Sequence, residues 1–364
     1  MTEHWPLTTD HCIRIKQFAR DAGFDLCGIA PVREFGELES FPAWIAAGQH
    51  GEMKYLESRD DTGELKRASL TRVAPWARSV IVCALNYNTA HPYSTQAGDA
   101  GGWISRYAWS REDYHDAVLR RLRKVESNLR QLLDTTAHCP PATDHSLQTR
   151  SYVDTGPLVE RVYAKYAGVG WIGKNTCIIN QKMGSWLFLG VILTSLELEA
   201  DLPAPDRCGR CTRCLDACPT HAFTGPGQLD ARLCISYLTI EKRGDIPNEL
   251  RSGMGRHVFG CDICQDVCPW NRKAPVTAAA EFQPRAGLVN PALEWLAEMQ
   301  PEEFRISFRG SPIRRAKLSG LRRNAVIAMG NSGDLKFLPT LKRLADDSDS
   351  VVASHARWAL GKLQ

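Results

Sequence analysis

Residues 208–219 read Cys208-Gly-Arg-Cys211-Thr-Arg-Cys214-Leu-Asp-Ala-Cys218-Pro219, and residues 261–269 read Cys261-Asp-Ile-Cys264-Gln-Asp-Val-Cys268-Pro269. The first run has the C-x-x-C-x-x-C-x-x-x-C-P spacing of bacterial ferredoxins, in which three thiolates hold one cluster and the fourth reaches across to a second. The second run lacks the opening cysteine, and Cys234 supplies a replacement from upstream. Two [4Fe–4S] clusters need eight thiolates, which these three groups provide. By the crossing rule, cluster one takes Cys208, Cys211, Cys214 and Cys268, and cluster two takes Cys218, Cys234, Cys261 and Cys264. Zinc is the competing reading, but zinc sites pair C-x-x-C units and fit the longer run poorly. The proline that closes each run stops the chain from continuing as helix.

The rest of the chain sets the context for these thiols. It has 364 residues and 13 cysteines, too long for a disulfide scaffold. Cys12, Cys27, Cys83, Cys139 and Cys177 lie outside the tight groups and read as buried apolar packing. Hydrophobic content of 43% and charged content of 24% imply a packed core and exclude disorder and collagen. The longest apolar run, 186–196, is short of the ~20 residues of a membrane helix. With no twin arginine and no apolar leader, a cytoplasmic protein without membrane contact is expected.

The organisation expected is α+β, with mixed helices and strands, in three modules: 1–198, a ferredoxin-type module at 199–280, and a helical segment at 281–364. In the first module, 10–22 reads as a helix capped by Thr9 or Asp10 and stopped by Gly23. Further helices are expected at 41–56, 113–133 and 158–167, and strands at 26–32, 79–85, 151–153, 176–180 and 186–194. Residues 88–102 read as loop, and 199–206, with two prolines, as a linker. Near the C-terminus Ala325, Ala328, Met329 and Gly330 recur as Ala356, Ala359, Leu360 and Gly361, a HEAT-like fragment that must dock on the remainder.

Two motifs are refused. Gly168-x-Gly170-x-x-Gly173 matches a dinucleotide fingerprint, but a helix precedes it and a strand follows, the reverse of what phosphate binding requires. Asp113-Tyr-His115 resembles the start of a cobalt-ligating D-x-H-x-x-G motif, but position 118 is Val, so an acidic first helical turn is the simpler reading. Asp154 stays open between an N-cap and a proton donor at the end of a strand. Arg305 to Arg323 carries seven positive charges in nineteen residues and no acid, either a solvated helix face or a contact for polynucleotide phosphate. Trp103, Tyr107, Trp109 and Tyr114 could stack a base, cover a flat cofactor, or pack in the core.

Taken together, SYVDTGPLVER (151–161), GVGWIGKN (168–175), CGRCTRCLDACPTHAF (208–223), CISYLTIEKRG (234–244), GCDICQDVCPWN (260–271) and LRRNAVIAMGN (321–331) closely resemble the epoxyqueuosine reductase family over nearly the whole chain. That resemblance implies two [4Fe–4S] clusters, base-off cobalamin, a fold shared with reductive dehalogenases, and monomeric action on epoxyqueuosine in the anticodon loop of tRNA. It makes Asp154 the proton donor. It also implies cobalamin contacts at Arg67, Asp154, Ile178, Leu189, Ser236, Cys261 and Asp262. tRNA contacts are implied at Lys242, Arg314, Arg315, Lys317, Arg322, Arg323 and Asn324. Position 105, a cysteine in some members, is Ser here, which puts a thiol role there in doubt. The alternatives are a dehalogenase-like reductase of small molecules, which would not need the basic stretch, and a ferredoxin fused to a scaffold, which would leave the first module unexplained.

Overall fold

The computed structural model describes residues 9–96, 101–135, 147–285 and 287–364. Its centre is a four-stranded antiparallel sheet. The strands are β1 (Leu26–Pro31), β2 (Ser79–Asn86), β4 (Thr149–Tyr152) and β7 (Leu187–Thr194), in the order β1-β2-β7-β4. Short strands β3 (Trp103–Ile104), β5 (Trp171–Ile172) and β6 (Ile178–Ile179) lie outside it. All eight residues of β2 are buried, because both sheet faces are covered. Ile81, Cys83 and Leu85 face a core shared with helices α1 (Thr9–Asp21) and α4 (Tyr114–Thr135). Val80, Val82 and Ala84 face another, shared with α2 (Gly36–Ala46), α3 (Leu70–Val73) and α5 (Glu160–Tyr166). This two-sided burial explains why the strands read as continuous apolar runs without polar alternation.

Two glycines set how closely the helices approach. A Cβ at Gly28 would lie 1.9 Å from the Ala167 carbonyl oxygen, and one at Gly190 would lie 2.7 Å from Val118. The helix expected at 41–56 begins earlier and ends at Ala46, because Gly48 (φ 66°) and Gly51 (φ 62°) turn the chain before a short 3-10 turn at Lys54–Glu57. Thr9 and Asp10 stand inside the first turn of α1, while Gly23 (φ 89°) closes it as expected. Residues 97–100 of the expected loop, and Cys139, lie outside the described residues.

The segment expected as a linker is tied down. Asp201 accepts from Lys16 Nζ (2.5 Å) and the Ile29 N–H (2.8 Å), and the Ala204 N–H donates to Lys165 O (3.0 Å). The C-terminal helices Lys317–Ser332 and Ser350–Leu363 pack through the repeated small residues, so that a Cβ at Gly330 would meet Ala359 at 2.9 Å. Their core also takes in Ile104, Ala108 and Trp109, and β3 pairs in parallel with His257–Phe259. Boundaries drawn at 198 and 280 are therefore crossed by the packing. Among the described residues no helix is long and apolar enough to cross a membrane.

Candidate functional site

All twelve cysteines among the described residues are free. The eight clustered thiols gather in two sets. The Cys214 thiol is pushed up to about 11 by burial and by Cys268, Cys208 and Cys211 beside it. Burial pushes Cys261 up as well, and Cys234 and Cys218 add to it; Cys264 in turn feels Cys261 and Cys234. Cys214 thus neighbours Cys208, Cys211 and Cys268, and Cys261 neighbours Cys218, Cys234 and Cys264. N–H groups point at the sulfurs, as thiolate ligands require. Trp171 Nε1 donates to Cys208 Sγ (3.4 Å), and the Ala222 N–H to Cys218 Sγ (3.4 Å). Backbone N–H groups of Tyr237 and Ser236 serve Cys234, and those of Ile263 and Trp270 serve Cys261 and Cys268. Among the described residues no group of three His, Cys, Asp or Glu side chains is placed to hold a single metal ion.

The glycine-rich turn refused as a nucleotide site has a structural task here. α5 precedes it, and β5 and β6 form a tight hairpin after it. From this hairpin Lys174 Nζ reaches Gly209 O (2.8 Å), Asn175 Nδ2 reaches Cys264 O (3.2 Å), and Trp171 sets its ring edge-on against Trp270. The hairpin thus clamps both cysteine loops. Cys177, expected in plain packing, instead lies against Cys264 and near Cys234 and Cys268. Its spacing matches no ligand pattern, so the sequence carried no signal for it.

Asp154 follows β4 in the left-handed region (φ 57°), and the Thr155 N–H bonds back to Val153 O (2.7 Å). It is no N-cap: α5 starts at Glu160, after Val159, which makes no side-chain cap. A non-glycine residue held at this φ is a strained feature that needs support from its surroundings. Tyr114 Oη donates a short hydrogen bond to Asp154 Oδ2, and the Tyr114 ring stacks on Phe188 of β7 at 4.4 Å. Burial and the Asp154 carboxylate both raise the Tyr114 phenol. The side chain of Asp154 is 54% exposed, so its carboxylate is open to solvent.

Nearby, the guanidinium groups of Arg67 (5.7 Å) and Arg315 (5.2 Å) lie over the Tyr55 ring. Glu160 is pushed up to about 7 by burial and by Asp154, and its Oε1 is buried without a partner. Asp262 is buried, accepting from Ser105 Oγ and from the Arg106 N–H (2.6 Å). Ser105 therefore holds Asp262 through its hydroxyl. Arg106 is held among Tyr93, Trp109 and Trp186 and donates to Asn88 and Thr89. Burial raises the Tyr107 hydroxyl, and the charges of Asp262 and Asp154 add to it. Trp109 is core rather than a stacking platform.

Of the expected cofactor contacts, Arg67 and Asp154 stand near Glu160, and Ile178 and Leu189 share one apolar cluster. Cys261 and Asp262 are neighbours on the cysteine loop, and the Ser236 backbone serves Cys234. The unpartnered Glu160 oxygen would suit an amide at the rim of a corrinoid, were one held here.

The basic stretch divides. Arg314, Arg315 and Lys317 are exposed, although Arg315 pairs with Glu241. The expectation for Arg322, Arg323 and Asn324 is corrected. Arg322 pairs with Asp347 (2.5 Å). Arg323, 1% exposed, donates to Leu238 O, Lys242 O and Gly244 O, and Asn324, fully buried, donates to Thr239 O and Val258 O. Their polar atoms are spent on backbone carbonyls and, for Arg322, on the Asp347 carboxylate. Lys242 is half-buried and bonded to Glu52 (2.6 Å).

Comparison with known proteins adds the following. Residues 67–155 match the family described as Epoxyqueuosine reductase QueG, DUF1730, and residues 207–271 match the 4Fe-4S double cluster binding domain. The chain is 41% identical over 352 residues to the epoxyqueuosine reductase of Pseudomonas aeruginosa, covering 95% of this chain and 92% of that one. It is 43% identical over 304 residues to the one from Synechocystis, covering 82% and 98%. Among solved structures, an epoxyqueuosine reductase with an epoxyqueuosine-modified tRNA stem loop superposes with a TM-score of 0.82 at 32% identity, covering 96% of this chain and 89% of that one. The enzyme of Bacillus subtilis, with its catalytic aspartate loop swung out of the active site, superposes with a TM-score of 0.80 at 31% identity, covering 96% and 90%.

Proposed function

Because the chain belongs to the epoxyqueuosine reductase family, we propose that it is an oxidoreductase that reduces epoxyqueuosine in tRNA to queuosine, acting as a monomer in the cytoplasm. The observation that carries this reading is the exposed Asp154 carboxylate, held in a left-handed turn by Tyr114, with Tyr107 lying near both it and Asp262 of the cysteine loop.

The reaction removes the epoxide oxygen as water and leaves a carbon–carbon double bond, taking up two electrons and two protons. Cluster one is assigned to Cys208, Cys211, Cys214 and Cys268, and cluster two to Cys218, Cys234, Cys261 and Cys264. Arg67, Asp154, Ile178, Leu189, Ser236, Cys261 and Asp262 would hold base-off cobalamin. When bound, cobalamin supplies a low-potential reductant at the epoxide carbon, and the clusters supply its electrons one at a time. Asp154 donates the proton that lets the oxygen depart. Tyr114 holds Oδ2, so the other carboxyl oxygen is free to address the substrate.

We assign residues 1–198 to the catalytic module, related to reductive dehalogenases, 199–280 to electron delivery, and 281–364, HEAT-like, to gripping tRNA. The exposed Arg314, Arg315 and Lys317 suit backbone phosphates, and Arg315 also lies near enough to His115 to oppose its charge. The deciding assay is anaerobic turnover of an epoxyqueuosine-bearing stem loop with and without cobalamin. The product, lighter by one oxygen, should form only with cobalamin, and Asp154→Asn should nearly abolish it. Full turnover by that variant overturns the acid role.

A further inference from the structure

Two protons leave with the oxygen, yet a single carboxylic acid carries one. The Asp113-Tyr-His115 motif, refused as a cobalt ligand, lies directly against that acid. Asp113 Oδ1 accepts from the His115 backbone N–H (3.0 Å) and faces the ring Nδ1 at 2.8 Å, so Nδ1 carries a proton. This fixes the other ring nitrogen: Nε2 stands 4.0 Å from Asp154 Oδ2. The ring is further held by stacking on Tyr114 at 4.0 Å. The imidazole thus has a carboxylate near each ring nitrogen, with a gap to Asp154 that one water can bridge, and, 34% exposed, it can be recharged from solvent.

We propose that His115 is the second proton source of this reaction, acting through Asp154 as a relay. The inference rests on the reading of the chain as an epoxide reductase. The balance is as follows. Protonated Asp154 gives its proton to the epoxide oxygen and becomes a carboxylate. The imidazolium Nε2–H passes a proton to that carboxylate and leaves His115 neutral. Asp154 then gives this second proton to the departing hydroxide, and with the two electrons of the reductant the products are water and the double bond. Burial disfavours the imidazolium, but Asp113 and Asp154 outweigh burial and the opposing charge of Arg315, so the ring keeps its proton above the ordinary 6.5. Tyr114 is a poor substitute because its phenol is raised. Glu160 is the rival source, being buried beside Asp154.

The test combines single-turnover rates of the cluster- and cobalamin-loaded enzyme across pH with an imidazole titration of His115 by NMR. In the wild type the rate should fall as pH rises through the His115 titration. In His115→Gln the rate should be lower by about 100-fold, the low end for a positioned proton donor, and that alkaline limb should vanish. In Asp113→Asn, which retains the ring, the limb should move to lower pH. The His115 titration itself should shift downward in Asp154→Asn, a readout that needs no turnover. A wild-type rate in His115→Gln, a limb that survives in it and disappears in Glu160→Gln, or a titration unmoved by Asp154→Asn overturns the proposal. A wild type that leaves the stem loop unreduced, with the titration behaving as stated, overturns the functional reading instead.

Discussion

Arg323→Ala is expected to damage the fold and leave phosphate contacts intact, although its setting in a run of basic residues points the other way. The guanidinium is buried, and burial together with Arg243 lowers it to about 10. It donates to three carbonyls, Lys242 O at 3.0 Å, Gly244 O at 2.7 Å and Leu238 O at 2.8 Å. Hydrogen bonds from a charged donor contribute about 1.5–3 kcal/mol each. Three lost together would cost about 4.5–9 kcal/mol before relaxation and water entry recover part of it, leaving about 3–5 kcal/mol. The assay pairs urea unfolding of the cluster-loaded protein with tRNA affinity measured over a range of salt. Arg323→Ala should unfold at clearly lower urea while the slope of log affinity against log salt stays at the wild-type value. Arg314→Ala and Lys317→Ala should do the reverse, each reducing the slope by about 0.7–0.9 with the unfolding midpoint unchanged. An Arg323→Ala protein of wild-type stability whose salt slope falls by that amount would refute the reasoning.

Two further outcomes follow from the same geometry. Cys268→Ala should lose cluster one and Cys218→Ala cluster two, so each retains half its iron, whereas Cys177→Ala should retain all of it; iron analysis and electron paramagnetic resonance check this. Burial lowers both His257 and His355 to about 4. The unfolded chain protonates these rings below about 6.5 and the folded chain only near 4, so stability should be lost as pH falls through that window, by up to about 3 kcal/mol for each. Urea midpoints at pH 7 and pH 5 measure the effect, and His355→Gln should flatten it.

The double-cluster domain was legible because cluster ligation imposes fixed spacing on the chain, and the buried sheet because β-branched runs such as 79–86 admit few other environments. The basic stretch misled for a physical reason. A run of arginines reports charge but not the direction in which a helix faces, and Arg322, Arg323 and Asn324 turn inward to satisfy carbonyls some 25–85 positions away. Asp154 was ambiguous because a turn before a helix suits a cap and an acid equally. The start of α5 at Glu160 removes the cap, and Tyr114, forty positions earlier, holds the carboxylate. His115 was set aside on the strength of a missing glycine, while its significance lies in its distance to Asp154. Glu160, Tyr55 and Cys177 carry no local pattern at all, and their neighbours are assembled by the fold.

The core that takes in Ile104, Ala108 and Trp109 together with Leu321, Val326 and Ala356 has a temporal consequence. A ribosome delivers residues 104–109 long before these partners exist, so their apolar side stays uncovered until the final helices emerge. The order of maturation is thereby constrained, because Ser105 and Arg106, which hold Asp262, belong to a segment whose packing is completed last. A chain cut after residue 280 would keep all eight clustered cysteines and leave that apolar side bare.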